Sequence, residues 1–387
     1  MTPDPYKTFI RNYLLSSSLY DFVFAYAIYN LLFSLRGLSV FEISLLLSWW
    51  ALTAMLLEVP SGALADRWSR RKMLAAAPFI KAACFVIWYF SGSDIYLYGL
   101  GFLFWSAGSS MVSGTSEALL YDELKTFGRT EEYEQVFSRK KFYYHISLAV
   151  STVTGGLIAY YDISLALLLS ALPLLLSSYF AFRIKETERS QAHEETHYLE
   201  YIKLAYREVR SSDILKILFL YSLGISVFGD LEEFDQLYYQ LSCLPVYAFG
   251  IAGFLWSLLN SIGSYHAHRL KNSVKAFYVL PLSSALLLIY TGFRPGLVGI
   301  GILLLSYFVS SPLKILVESR IQRNIRSIGR ATVTSLSIFF INLSGVLLIP
   351  VYGTIGRIWG LAAIYVATGV FFAFFALWAA VKGKVFE

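Results

Sequence analysis

The chain of 387 residues is 57% hydrophobic and 15% charged, with a formal net charge of +6 at pH 7 and a mean hydropathy of +0.58. A soluble domain carries about a quarter charged residues, so this composition excludes an ordinary water-soluble globule. Apolar stretches of about 20 residues, enough to cross a ~30 Å hydrocarbon core, recur along the whole chain and mark a polytopic, all-α membrane protein.

Twelve spans are predicted, near residues 9–33, 41–64, 73–91, 96–119, 140–161, 163–183, 213–241, 246–266, 276–292, 296–318, 330–352 and 357–381. The first carries Lys7 and Arg11 on its flank but no small-residue cleavage site, so it reads as a retained helix rather than a signal peptide. Within it, "SSSLYDFVFAYAIYN" places Asp21 near mid-membrane. An ionisable group there faces a cavity or a partner because lipid disfavours it, so Asp21 is a proton- or substrate-site candidate; a structural hydrogen bond to a neighbouring hydroxyl is the alternative. Span two ends in "LLEVPSGALADRWSRRKM", which gathers Glu58, Pro60, Gly62, Asp66, Arg67, Arg70, Arg71 and Lys72. Span four contains Glu117, and Asp122 follows in "SEALLYDELK". Only "YYDIS", around Asp162, separates spans five and six.

The longest polar interval, residues 185–212, divides the chain into bundles at 1–184 and 213–387. Tyr198, Tyr201, Ile202, Ala205 and Val209 recur in it at helical spacing, as in a helix lying on the inner membrane surface; a connector of fixed length is the plainer reading. Span seven contains "SVFGDLEEFDQLYYQ", with Asp230, Glu232, Glu233 and Asp235 in six residues. Asp230 and Glu233 share one helix face, Glu232 and Asp235 another, and four neighbouring acids cannot all be cheaply ionised in a low dielectric. Alternatively, the helix breaks at Gly229 and the acids face outside water. Lys314 in span ten occupies roughly the place that Glu117 holds in the first half, so the two are candidates for an ion pair between the halves. A local Lys314–Glu318 pair at i, i+4 is the rival. Tyr20, Tyr26, Asn30, Tyr238, Trp256, Asn260 and Asn342 are candidate cavity-lining residues, although most of the aromatic content belongs to packing and interfacial belts.

Most lysines and arginines fall in segments that are cytoplasmic if both termini are inside, whereas the opposite loops hold only Arg36, Arg294 and Arg357. The expected location is therefore the cytoplasmic (inner) membrane. Anionic lipid at its inner face accounts for the positive charge without nucleic acid. Cys84 and Cys243 should lie at different depths, which disfavours a disulfide, and no cysteine or histidine cluster has metal-site spacing.

The turn "GALADRWSRRK" resembles the signature of the major facilitator superfamily: a glycine, an aspartate and spaced arginines between helices two and three. The match lies at Gly62, Leu64, Asp66, Arg67, Arg70 and Arg71, with Ser69 where glycine is commoner. The second-half segment "SIGSYHAHRLKNSVK" echoes it with Gly263, Arg269, Lys271 and Lys275 but no aspartate. The resemblance implies twelve helices in two six-helix bundles. It implies close packing at Gly62, Asp66 facing the start of helix eleven around residues 329–332, and Arg70 paired with Asp122. Such a cluster would latch the halves together while the cytoplasmic side is closed. Arg67, Arg71 and Lys72 also serve simply as a topology signal.

The expected function is secondary active transport of a small, cationic or amphipathic solute by alternating access. In proton-coupled efflux, a carboxylate would exchange a proton for the cation, held in part by cation–π contact. Proton-coupled uptake of a nutrient, and ligand sensing without transport, are the alternatives. Helix five, "SLAVSTVTGG", keeps Gly155 and Gly156 but has Thr152 where antiporters of the superfamily often carry proline, and helix four lacks the arginine frequent in drug antiporters. No HExxH, GxSxG or GxxxxGK[ST] pattern occurs, and His145 is a lone histidine, so neither enzyme chemistry, a cofactor nor ATP is expected. The expected partners are the solute, protons and membrane lipids, with the chain acting as a monomer.

Overall fold

The computed structural model describes residues 4–187, 210, 212–324 and 330–383, without the side chains of Val59, Ala63, Asp66, Arg67, Gln322 and residues 330–338. The linker helix expected around Tyr198, and the start of helix eleven at 329–332 as a latch partner, lie outside the described residues and side chains.

Among the described residues there are no strands, and twelve helical segments are long and apolar enough to span a membrane. They are Pro5–Leu35, Val40–Glu58, Arg70–Phe90, Ile95–Thr126, Thr130–Tyr161, Ile163–Phe182, Asp213–Leu241, Val246–Leu270, Ala276–Phe293, Leu297–Ile321, Phe339–Trp359 and Ala362–Val381, called spans one to twelve below.

Three spans are interrupted. Span one is helical over Pro5–Tyr20, then passes through a 3-10 turn at Phe24–Ala27 before Tyr29–Leu35. Unpaired backbone groups are expensive away from water, and here the Ala25 N–H finds the Ser170 hydroxyl of span six at 2.9 Å. Gly155 of span five makes room for the turn: a Cβ there would collide with the Phe24 carbonyl. Span four bends between Ile95–Val112 and Thr115–Thr126, where Gly114 adopts φ +69°. Span seven is helical through Gly229 to Leu231 and changes to a 3-10 turn at Glu232–Phe234 before Asp235–Leu241. Its interruption thus lies among the acids, not at the glycine.

The helix of span two continues to Arg67, so the signature aspartate lies at the end of a helix. Asp162 starts span six by accepting the Ser164 and Leu165 N–H groups, as an N-cap should.

Two compact units emerge. The first comprises Met1–Leu38, Trp49–His193 and Pro245–Gly253; the second comprises Ser39–Ser48, Glu194–Leu244 and Phe254–Glu387. At one end of the first unit, Phe9, Tyr13, Leu74, Leu119, Leu120 and Val136 form a core. Farther along, Phe33, Phe85, Trp88, Phe102 and Trp105 interlock edge to face, tilted and, for Phe102 on Trp105, stacked, with Trp88 and Phe102 centroids 4.8 Å apart. In the second unit, Leu218, Tyr221, Phe277, Leu313, Leu316 and Phe375 join spans seven, nine, ten and twelve.

Candidate functional site

Three polar clusters interrupt these apolar cores. The first surrounds the break in span one. Asp21 ends the first helical piece, and its Oδ1 accepts from the Tyr26 hydroxyl at 3.1 Å and lies 3.5 Å from Lys81 Nζ. Lys81 donates to the Tyr26 oxygen at 2.8 Å and sits 4.0 Å from the Tyr20 ring centroid, with Trp105 at 5.5 Å. Its side chain is 2% exposed, against 24% for Asp21. Gly108 of span four permits this placement, since a Cβ there would stand 2.7 Å from the Ala77 carbonyl and 3.0 Å from Lys81 Cβ. Asp21, Tyr20 and Tyr26 thus come together, and the group the sequence leaves without a role is Lys81. As a cation in mid-span it is itself a signal, but its partner is sixty residues distant and no helical spacing links them. Asn30, proposed as a cavity residue, is fully buried.

The second cluster is built on the 3-10 turn of span seven. Asp235, 5% exposed, accepts at Oδ1 from the Tyr307 hydroxyl of span ten at 3.0 Å and the Tyr365 hydroxyl of span twelve at 3.1 Å. Asp230 faces span eleven, where a Cβ on Gly345 would stand 3.1 Å from its Oδ1. Its Oδ2 is buried with no hydrogen-bond partner among the described residues. Asp230, Glu232, Glu233 and Asp235 interact electrostatically through the turn, and Lys314 acts on Glu232. Trp256 lies edge-on to Tyr307, with its indole N–H buried and without an acceptor among the described residues. Asn260 donates to the Trp256 carbonyl of its own helix, and Asn342 is exposed. Tyr238, a cavity candidate in the sequence, is fully buried, donates to the Thr291 carbonyl at 2.7 Å and packs on Tyr365 at 4.5 Å. Its position next to the acids in sequence turns it into the helix-packing interface.

The third cluster lies where span two gives way to span three. Arg70 donates from Nη1 to Asp122 Oδ2, so the structure brings these two latch candidates together. The sequence reading misses Glu186, whose carboxylate accepts from Ser69 Oγ and from the Arg70 and Arg71 N–H groups at 3.0 and 3.1 Å. It thereby caps the helix of span three, placing negative charge at the positive end of the dipole. The acid lies just beyond span six, and no local pattern marks its target. Glu123, beside it, accepts from the Thr187 N–H at 2.7 Å. Gly62 is exposed, and among the described residues a Cβ there meets nothing within 4 Å. The side chains of Asp66 and Arg67 are outside those described. Nearby, Glu117 takes a counter-charge from Lys140 Nζ at 2.6 Å, a partner that the sequence reading does not name. The helix of span five begins at Tyr133, earlier than expected, which brings Lys140 alongside span four.

The family model for the Major Facilitator Superfamily matches residues 13–349. The chain belongs to this superfamily. It is therefore a multi-pass membrane transporter and not an enzyme. No curated protein matches the sequence. Among solved structures, a point mutant of the nucleoside transporter NupG is similar with a TM-score of 0.77 at 14% identity, covering 99% of each chain. A bacterial homologue of the human lysosomal transporter Spinster, inward-facing and unoccupied, also has a TM-score of 0.77 at 14% identity, covering 100% of this chain and 98% of that one. A D-xylose–proton symporter reaches 0.70 at 11% identity, covering 97% of each. These likenesses show the major facilitator fold in this chain.

Proposed function

We propose that this transporter moves a small organic cation by alternating access, in exchange for protons that occupy the acids of span seven. The observation that carries the reading is the concentration of Asp230, Glu232, Glu233 and Asp235 around one turn, with Lys314 as the nearby mid-span cation. Either a proton or a cationic solute can neutralise such a carboxylate, and both together are redundant. Competition between them couples the two fluxes in opposite directions. Asp230 is the first choice for the exchanging group because one of its oxygens has no partner among the described residues.

The proposed setting is the cytoplasmic membrane, with both termini inside and two six-helix bundles joined by residues 185–212; the distribution of basic residues supports it. The Arg70–Asp122 pair and the Glu186 cap support a role for that end of the first unit as a cytoplasmic latch.

A second reading is proton-coupled uptake of a neutral solute. It is supported by fold likeness to a nucleoside transporter and a D-xylose–proton symporter, and by Asp21 already having a counter-cation in Lys81. Proteoliposomes containing a pH-sensitive dye separate the two. Antiport requires small organic cations to drive proton movement in the opposite direction, with loss of that flux in Asp230→Asn. Proton movement with a nucleoside or sugar, in the same direction as the solute, would establish uptake instead. Silence toward every cation tested would remove the antiport reading.

A further inference from the structure

Lys81 has no part in the exchange proposed above, yet the chain builds an elaborate setting for it. The ammonium lies 3.5 Å from the Asp21 carboxylate, donates to the Tyr26 hydroxyl oxygen at 2.8 Å and lies near two aromatic rings, with centroids at 4.0 Å for Tyr20 and 5.5 Å for Trp105. A carboxylate, a phenol oxygen and aromatic faces, here Asp21, Tyr26, Tyr20 and Trp105, are the arrangement that recognises an organic ammonium. A lysine side chain is itself a tethered primary alkylammonium. It enters from span three, held near span four by the close approach at Gly108, while Asp21 keeps the more open position.

We propose that Asp21, Tyr20, Tyr26 and Trp105 form a primary-ammonium site that Lys81 fills as a tethered occupant, and that a solute bearing such a group competes with Lys81 for Asp21. The last step rests on the cationic cargo proposed above; the site itself does not. Two ammonium groups cannot share one carboxylate at low cost, so solute entry requires the lysine to withdraw. An uncharged solute has no such competitor, which makes Lys81 a specificity-determining residue.

The test is to empty the site and offer it a free replacement. Lys81→Ala removes three carbons and the amine, which n-propylammonium matches; 1-propanol is the uncharged probe of nearly the same shape. Purified full-length protein is titrated with each, reading tryptophan fluorescence and apparent melting temperature. Propylammonium is expected to raise the melting temperature of Lys81→Ala by several degrees, saturably. Wild type and Lys81→Met, whose sites remain filled, should not respond, and Lys81→Ala/Asp21→Asn should lose the response. If Lys81→Ala aggregates, the same test is read as recovery of monodisperse protein when propylammonium, but not propanol, is present during purification. No response or recovery, an equal effect of propanol, or an undiminished effect in the double variant assigns Lys81 to packing and overturns the proposal. Because binding is the readout, an absence of cation-driven proton flux would defeat the transport reading and leave this result standing.

Discussion

Asp235 offers the sharpest test of how the acid-rich turn is held. Two tyrosine hydroxyls from different helices donate to one of its oxygens at 3.0 and 3.1 Å, and the residue is 5% exposed. A stranded buried donor costs about 1–3 kcal/mol, whereas interhelical hydrogen bonds in membranes average only ~0.6 kcal/mol and reach ~1.7. The membrane values govern here, because the unfolded helices can find other partners in the micelle. Asp235→Ala strands both hydroxyls and leaves a small void, so a loss of about 2–4 kcal/mol is expected. Asp235→Asn retains an acceptor oxygen and should lose about 1 kcal/mol. Unfolding by SDS in mixed micelles, followed by tryptophan fluorescence, measures these differences. The decisive comparison is Tyr307→Phe in wild type and in Asp235→Ala. Removing the hydroxyl should destabilise wild type by about 0.5–1.5 kcal/mol and the variant hardly at all. An equal loss in both backgrounds would refute the argument that Asp235 is what fixes Tyr307.

Gly155→Ala should destabilise the first unit by about 1–3 kcal/mol, because its Cβ meets the Phe24 backbone. Gly62→Ala meets no described residue and should stay within about 0.5 kcal/mol of wild type in the same unfolding assay; a larger loss than at Gly155 would contradict both assignments. Glu186→Gln weakens the cap on span three and should cost about 1 kcal/mol, without the charge-dependent part in high salt; equal stability at all salt concentrations would remove the cap from the account. Cys84 is buried and Cys243 exposed, so a membrane-impermeant maleimide should label intact cells at Cys243 and lose that signal in Cys243→Ser. Labelling only after permeabilisation would invert the proposed orientation.

The helices were legible because an apolar run of about 20 residues has few alternatives to a membrane helix. Asp162 was legible as a boundary because an Asx cap acts on the next two or three N–H groups, within the reach of local sequence. The break after Asp21 was not. "YDFVFAYAIYN" contains neither proline nor glycine, and its turn depends on Ser170 and Gly155, more than a hundred residues away. The same limit hid Lys81, whose carboxylate partner and aromatic walls come from other spans. In span seven the residue types were correctly conspicuous, but Gly229 suggested a break where the helix continues; the turn comes three residues later, where Asp235 engages the two tyrosines.

Charge inventory explains why the two acid-bearing regions should be assigned different tasks. In the first unit, Asp21 faces Lys81 and Glu117 faces Lys140, so each of these acids has a cation supplied by its own unit. Adding a proton to either acid would leave a lysine uncompensated in a low dielectric, an unfavourable exchange unless another anion or water reaches it. In the second unit four acids gather at one turn, while Lys314 is the cation acting on Glu232. A proton or a cationic solute reaching such a site would lower the cost of carrying its charge through an apolar barrier. The proposed reading therefore assigns coupling to span seven, and selection of an ammonium over a neutral solute to the Asp21–Lys81 site. The division has a kinetic signature: Asp230→Asn should uncouple proton movement, whereas Asp21→Asn should alter which solutes compete before it alters the proton-to-solute ratio. If Asp21→Asn changes that ratio while leaving solute preference intact, the assignments must be reversed.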